Sequence, residues 1–305
     1  MKKLTVLFVV IAIVFCSCGI RKENNDKMKV VTTIFPEYDF SRQIAGDNAE
    51  ISLLVPPGTE LHKFEPTPKD IISIQSSDVF IYVGGESDAW VDKILESSEL
   101  KNTRIIKLME IVTLENEGIS EGMEDASGES EYDEHVWTSP VNAVKIINCI
   151  SNVFCEKDGK NAEIYAKNAK EYVSELEKID AEFKNTVSEG RRKTIVFADR
   201  FPLTYFANEY NLNYYAAFKG CSEETEPSAA TVSFIINKVK KEKIPVVFKI
   251  ELSNGKMAKT VSEETGAKIL EFNSCHNITK KQFDSGVTYL ELMKNNLSAL
   301  KEALN

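Results

Sequence analysis

The chain has 305 residues, 43% of them hydrophobic, and a formal charge of −10, which becomes −12 when Lys2 and Lys3 leave with the N-terminal leader. So acidic a balance argues against nucleic acid as a partner, because phosphate backbones select basic surfaces. About 277 residues follow residue 28, enough for two ordinary domains, and none of their apolar runs nears the ~20 residues of a membrane-spanning helix.

The chain opens MKKLTVLFVVIAIVFCSC. Lys2 and Lys3 precede an apolar stretch, Leu4 to Phe15, too short to span a bilayer comfortably, so residues 1–18 read as a secretory signal. Ser17-Cys18 resembles a bacterial lipoprotein cleavage site, which makes Cys18 the expected lipidated residue; Phe15 departs from the aliphatic residue usual at that place. Residues 19–28, GIRKENNDKM, read as a flexible tether.

The mature part alternates. KVVTTI (29–34) reads as a buried strand, and YDFSRQIAG as a helix ending at Gly46. EISLLV (50–55) is a strand stopped by Pro56-Pro57-Gly58. Thr67 is a good N-cap for a helix with Pro68 at its first position. DVFIYVG (78–84), a helix around Ala89 to Glu96 and TRIIKL (103–108) complete a β-α-β-α run. Glu115 to Glu134 is acidic and aperiodic, a loop or disordered insert. Ser139-Pro140 opens another helix. From Asn161 to Ser188, residues Tyr165, Ala169, Tyr172, Leu176, Ile179, Phe183 and Val187 recur every three or four positions, one apolar stripe on a long helix.

After Gly190 the alternation restarts, with strands at KTIVFA (193–198), NYYAAF (213–218), PVVFKI (245–250) and AKILEF (267–272). Helices are expected around 202–209, 228–241, 256–265 and 285–303. The fold class is therefore α/β, two parallel-sheet lobes joined by a long rigid helix. The expected division is 29–158 for the first lobe, with an acidic loop at 115–134, then 159–190 for the linking helix and 191–305 for the second lobe. Cys149 and Cys155 sit six apart on a helix and cannot easily pair; Cys221 and Cys275 lie in loops and could.

Parallel sheets collect ligands at the loops beyond their strand C-termini. His62 and His135, two of only three histidines, lie on such loops in the first lobe. The second lobe offers Asp199, Glu251 and His276 at corresponding places, with Cys275 beside the last and Arg200 beside the first. Neutral imidazoles with carboxylates suit Zn2+, or Mn2+ as the carboxylate share rises. Each of these residues has an ordinary alternative: a solvated loop histidine, a helix-capping acid, or an ion-pair partner.

The segments "LLVPPGTELHKFEPTPKDI" and "DEHVWTSPVNA" resemble the two signature regions of zinc- and manganese-binding lipoproteins of ABC importers. "SEETEPSAATVSFIINKVKKEKIPVVF" and "SEETGAKILEFN" resemble that family's second lobe. The resemblance implies two α/β lobes on a rigid helix, with His62 and His135 as first-lobe metal ligands. It implies a receptor, not an enzyme, that is lipid-anchored outside the cell, monomeric, and delivers metal to an ABC permease. The family's third ligand, His or Glu, follows a strand like KTIVFA. Ala198 stands nearest that place here, and Asp199 is the substitute beside it. Glu251 is the near match for the fourth ligand, and His276 is an extra candidate. Glu65, Asp133 and Glu134 are carboxylates that could orient an imidazole. The alternatives are a receptor for a chelated metal or vitamin and, in another class, a metal-dependent hydrolase; the chain has no H-E-x-x-H or G-x-S-x-G motif.

Overall fold

The computed structural model describes residues 27–59, 64–97, 100–123, 131–220 and 227–305. His62, Cys18, Cys221, the leader and the centre of the acidic insert lie outside the described residues. The first lobe holds β1 (Met28–Thr32), α1 (Phe35–Ala45), β2 (Ala49–Leu53), α2 (Pro68–Gln75), β3 (Val79–Tyr82), α3 (Ala89–Ser97), β4 (Arg104–Lys107) and α4 (Pro140–Lys157). Its sheet runs β2-β1-β3-β4, all parallel. α1 stops at Gly46, whose φ of +52° favours glycine. α2 starts at a capping box: Asp70 N donates to the Thr67 hydroxyl, and Thr67 N to the Asp70 carboxylate.

α5 (Ala162–Glu189) joins the lobes. Its 28 residues make roughly 42 Å of helix at 1.5 Å each. The second lobe holds β5 (Thr194–Phe201), α6 (Thr204–Glu209), β6 (Asn213–Lys219), α7 (Ala229–Glu242), β7 (Val246–Lys249), α8 (Lys256–Thr265), β8 (Lys268–Glu271), α9 (Lys280–Asp284) and α10 (Tyr289–Leu304). Its sheet, β6-β5-β7-β8, repeats the parallel order of the first.

Two local differences from the sequence expectation have physical causes. β5 runs on to Phe201, because pairing with β6 resumes after a register irregularity between Phe197 and Arg200. The helix expected over 285–303 starts later, at Tyr289, and a separate short helix, α9, ends before it at Asp284. Gly286, at φ +75°, breaks the chain, and Thr288 restarts it with a capping box on Glu291. Cys275 is a buried free thiol, and Cys149 and Cys155 are also free; Cys221, the partner that loop placement allows, lies outside the described residues.

The seven residues of the α5 stripe are all buried. They belong to one hydrophobic cluster that passes through both lobes, taking in Phe40, Ile147, Phe206 and Tyr289. Asp39 adds a polar tie at the same seam. Its carboxylate accepts Arg42 Nε at 2.7 Å, the Tyr172 hydroxyl at 3.0 Å and the Tyr289 amide at 2.8 Å. A seam packed like a core resists hinge motion. Among the described residues no helix is long and apolar enough to cross a membrane.

Candidate metal centre

Loops beyond the strand C-termini of both sheets line the site. His135 closes the acidic insert and caps a short 3-10 turn, Val136–Thr138, that leads into α4. Asp133 Oδ1 lies 2.8 Å from the His135 amide nitrogen and 2.8 Å from its ring Nδ1. With Nδ1–H given to Asp133, the lone pair of the neutral ring stays on Nε2, the arrangement a metal-ligating imidazole uses. Burial alone would lower the His135 pKa; the charge and hydrogen bond of Asp133, helped by Glu134 and Glu117, outweigh it and hold the ring above its usual value. Burial alone would raise Asp133, and the His135 charge and hydrogen bonds bring it below the usual carboxylate value.

Trp137 anchors this turn on the opposite lobe. Its indole N–H donates to the Ser274 carbonyl at 2.8 Å, and its own carbonyl accepts the Tyr289 hydroxyl at 2.7 Å. His276 stands across the seam from His135. The ring centroids are 5.1 Å apart with planes at 88°, and Trp137 lies 5.0 Å from His276. Glu251, just past β7, receives the Ser274 amide at 2.7 Å, the Ser274 hydroxyl, and the His276 amide at 3.1 Å. Burial raises its pKa, against the opposing pull of those donors. Its lone pairs are largely committed, so Glu251 acts here as the clamp of the turn that presents His276.

His135, Glu251 and His276 line one cavity of about 50 Å³ between the lobes, with Thr59, Arg200 and Gly220. The Asn277 amide donates to the carbonyls of Pro56 and Thr59 at 3.2 and 2.9 Å, fastening the loop after β2 to the cavity edge. His62 comes three residues after Thr59 in sequence. Asp199 is not brought to this cavity. Its carboxylate accepts the amides of Arg200 at 2.9 Å and Ile250 at 3.4 Å, and it lines a separate cavity of about 160 Å³ with Leu252 and Lys256. Neighbouring side chains on an extended strand diverge, and Arg200, one step on, borders both cavities. Among the described residues no three or more His, Cys, Asp or Glu side chains are arranged to hold a metal by themselves; the lobes contribute a facing imidazole pair.

A family profile described as "Zinc-uptake complex component A periplasmic" matches residues 30–303. The chain belongs to this zinc-uptake family. The zinc-binding lipoprotein AdcA of Streptococcus pneumoniae (strain ATCC BAA-255 / R6) is 33% identical over 307 residues, covering 99% of this chain and 61% of AdcA, so the chain spans under two thirds of that relative. The high-affinity zinc uptake system protein ZnuA of Bacillus subtilis (strain 168) is 33% identical over 317 residues, 99% of this chain and 98% of ZnuA. The crystal structure of the Zn(II)-bound ZnuA-like domain of Streptococcus pneumoniae AdcA superposes with a TM-score of 0.76 at 32% identity, over 91% of this chain and 99% of that one.

Within the zinc-uptake fold, two glycines support the His135 turn that pattern reading passes over. A Cβ on Gly220 would fall 3.1 Å from His135 Cε1 and 2.9 Å from Pro202 Cα. A Cβ on Gly85 would fall 2.1 Å from Glu134 Oε2, where Glu134 accepts the Ser87 amide at 3.1 Å. The available signal was a glycine within a few residues of a strand end, in AAFKG and IYVGG.

Proposed function

We propose that this chain is an extracytoplasmic receptor that binds zinc between its lobes and delivers it to an ABC import permease. The observation that carries the reading is the His135–His276 pair at the cavity, with Asp133 fixing the tautomer that leaves His135 Nε2 to coordinate. His62 is the third proposed ligand. Three imidazoles make a nitrogen-rich set, which favours Zn2+ over Mn2+. Glu251 joins the site as a clamp or as a further ligand, and Asp199 ranks below it. A cavity of about 50 Å³ suits a bare ion, whereas a chelate or vitamin calls for a pocket of roughly 300 Å³ or more.

Residues 1–18 serve as a signal, Cys18 carries the lipid, and residues 19–28 are the tether from membrane to receptor. The division into lobes at 29–158 and 191–305, with 159–190 between them, follows the two sheets and α5. The protein works as a monomer, and the task requires no bond to be made or broken in the cargo. Elemental analysis of protein purified without added metal, followed by competitive titration of Zn2+ against Mn2+, tests the reading. One equivalent of zinc, bound more tightly than manganese and lost together with His135 and His276, is expected. Binding of neither ion would overturn it.

A further inference from the structure

The acidic insert resembles a solvated loop in sequence, yet both of its described limbs are packed. Glu117 N donates to the Glu131 carbonyl and Asp133 N to the Glu115 carbonyl, each at 2.8 Å, and Asn116 forms an antiparallel bridge with Tyr132. The outgoing limb thus pairs with the return limb that ends at Asp133 and His135. The outgoing limb also crosses to the second lobe. The Tyr205 hydroxyl accepts the Glu115 amide at 3.1 Å and donates to the Asp133 carbonyl at 2.9 Å. Gly118 N donates to the Thr204 hydroxyl at 3.3 Å, and Asn208 holds the Glu115 carboxylate. Farther out, Lys238 pairs with Glu121 at 2.9 Å.

The glycines show how closely the limb lies. A Cβ on Gly118 would meet the Tyr214 hydroxyl at 1.8 Å, and one on Gly122 would meet the Phe234 ring at 2.1 Å. Leu114 and Met123 pack against the main core. Residues 114–123 leave the first lobe after β4 and end on side chains of α6, β6 and α7 in the second.

We infer that residues 114–123 are a strap by which the first lobe clasps the second, and that Tyr205 is a positioning residue that holds His135 through the strap's stem. The hydroxyl bridges the two limbs at their root. Asp133, gripped there by its carbonyl, grips His135 with its carboxylate. A zinc ion between His135 and His276 would leave only as fast as this linkage loosens. The strap therefore sets cargo residence time without touching the cargo. The zinc half of the inference rests on the function proposed above; the strap itself does not.

Two variants and two measurements test it. Tyr205→Phe keeps the ring and removes both hydrogen bonds; Gly118→Val lifts the limb from Tyr214. In metal-free protein, amide hydrogen exchange at Glu115 should rise about tenfold in Tyr205→Phe, the scale of two lost hydrogen bonds, and should rise in Gly118→Val as well. In zinc-loaded full chain, release to a coloured chelator should speed up by about tenfold, while the metal-free melting temperature shifts little. Unchanged exchange would overturn the strap. Raised exchange with unchanged zinc release, or a lowered melting temperature with unchanged release, would overturn the positioning role. A wild-type chain that takes up no zinc would overturn the positioning role and the proposed function together, leaving the exchange result to decide the strap alone.

Discussion

Asp133 holds His135 twice with a single oxygen, 2.8 Å from the amide nitrogen and 2.8 Å from ring Nδ1. The amide bond fixes the backbone turn, and the ring bond fixes the rotamer and tautomer. Removing an outer partner of this kind costs about 10- to 100-fold in metal affinity. Asp133→Ala should therefore weaken zinc by that factor in competitive titration while stoichiometry stays at one. Wild-type affinity in the variant would show that the ring is held by something else.

The same pair makes His135 structural as well. It is 1% exposed, and so is Asp133. A His135→Ala protein leaves the Asp133 charge buried and unpaired, a fault worth about 3–5 kcal/mol. The metal-free His135→Ala variant should melt well below wild type, and adding Asp133→Asn should recover part of the loss. A loop histidine on the surface would show neither effect.

Much of the architecture was legible because burial leaves a period. Among the described residues most strands are short runs rich in Val, Ile, Phe and Tyr. The α5 stripe, Tyr165 to Val187, needed only spacing to find. The resemblance of DEHVW pointed to His135, which lines the cavity between the lobes. The second lobe's contribution was harder. Asp199 and Glu251 are both acids at strand ends, and spacing cannot say which way a side chain turns where β5 loses register. Glu251 accepts the amides of the Ser274–His276 turn, an engagement set by tertiary hydrogen bonds. The acidic insert misled for a related reason. Its packing comes from glycines lying on Tyr214 and Phe234, and a glycine offers no periodic signal.

Ranking the second-lobe residues is a direct measurement. His276→Ala should lower zinc affinity most, since its ring faces His135 at the cavity. Glu251→Ala should lower affinity less, and should disturb the Ser274–His276 turn in any spectroscopic probe of that loop. Asp199→Ala should leave affinity within a few-fold of wild type, because its carboxylate lines the neighbouring cavity. Loss of zinc binding in the Asp199 variant alone would reverse this order.

Zinc affinity should fall with pH from a point above that of an ordinary imidazole. Coordination requires the neutral ring, and Asp133 raises the His135 pKa despite burial. As pH drops through that raised value, protons displace the ion. In Asp133→Asn the acid limb should move to lower pH, because the charge that favoured the imidazolium is gone. An identical pH profile in the two proteins would remove Asp133 from the explanation.

A second pH effect belongs to the metal-free fold. Asp88 is 3% exposed, and its carboxylate accepts the Val83 amide at 2.7 Å and the Gly84 amide at 3.3 Å. Burial, with a push from Glu134, outweighs those donors and raises its pKa from 3.8 to about 7. Glu37 is raised as well, by burial and by the charge of Asp88. A carboxyl whose folded pKa is raised binds its proton more tightly folded than unfolded. Its contribution is full below the unfolded value of 3.8 and is lost as pH rises through about 7. For Asp88 alone the loss between pH 6 and pH 8 is about 1.4 kcal/mol, so the metal-free protein should melt at a lower temperature at pH 8. Asp88→Asn keeps an oxygen for the two amides and has no proton to lose. It should flatten most of that slope in thermal melts across the same range, and an undiminished slope would assign the effect to Glu37 or the His135 pair.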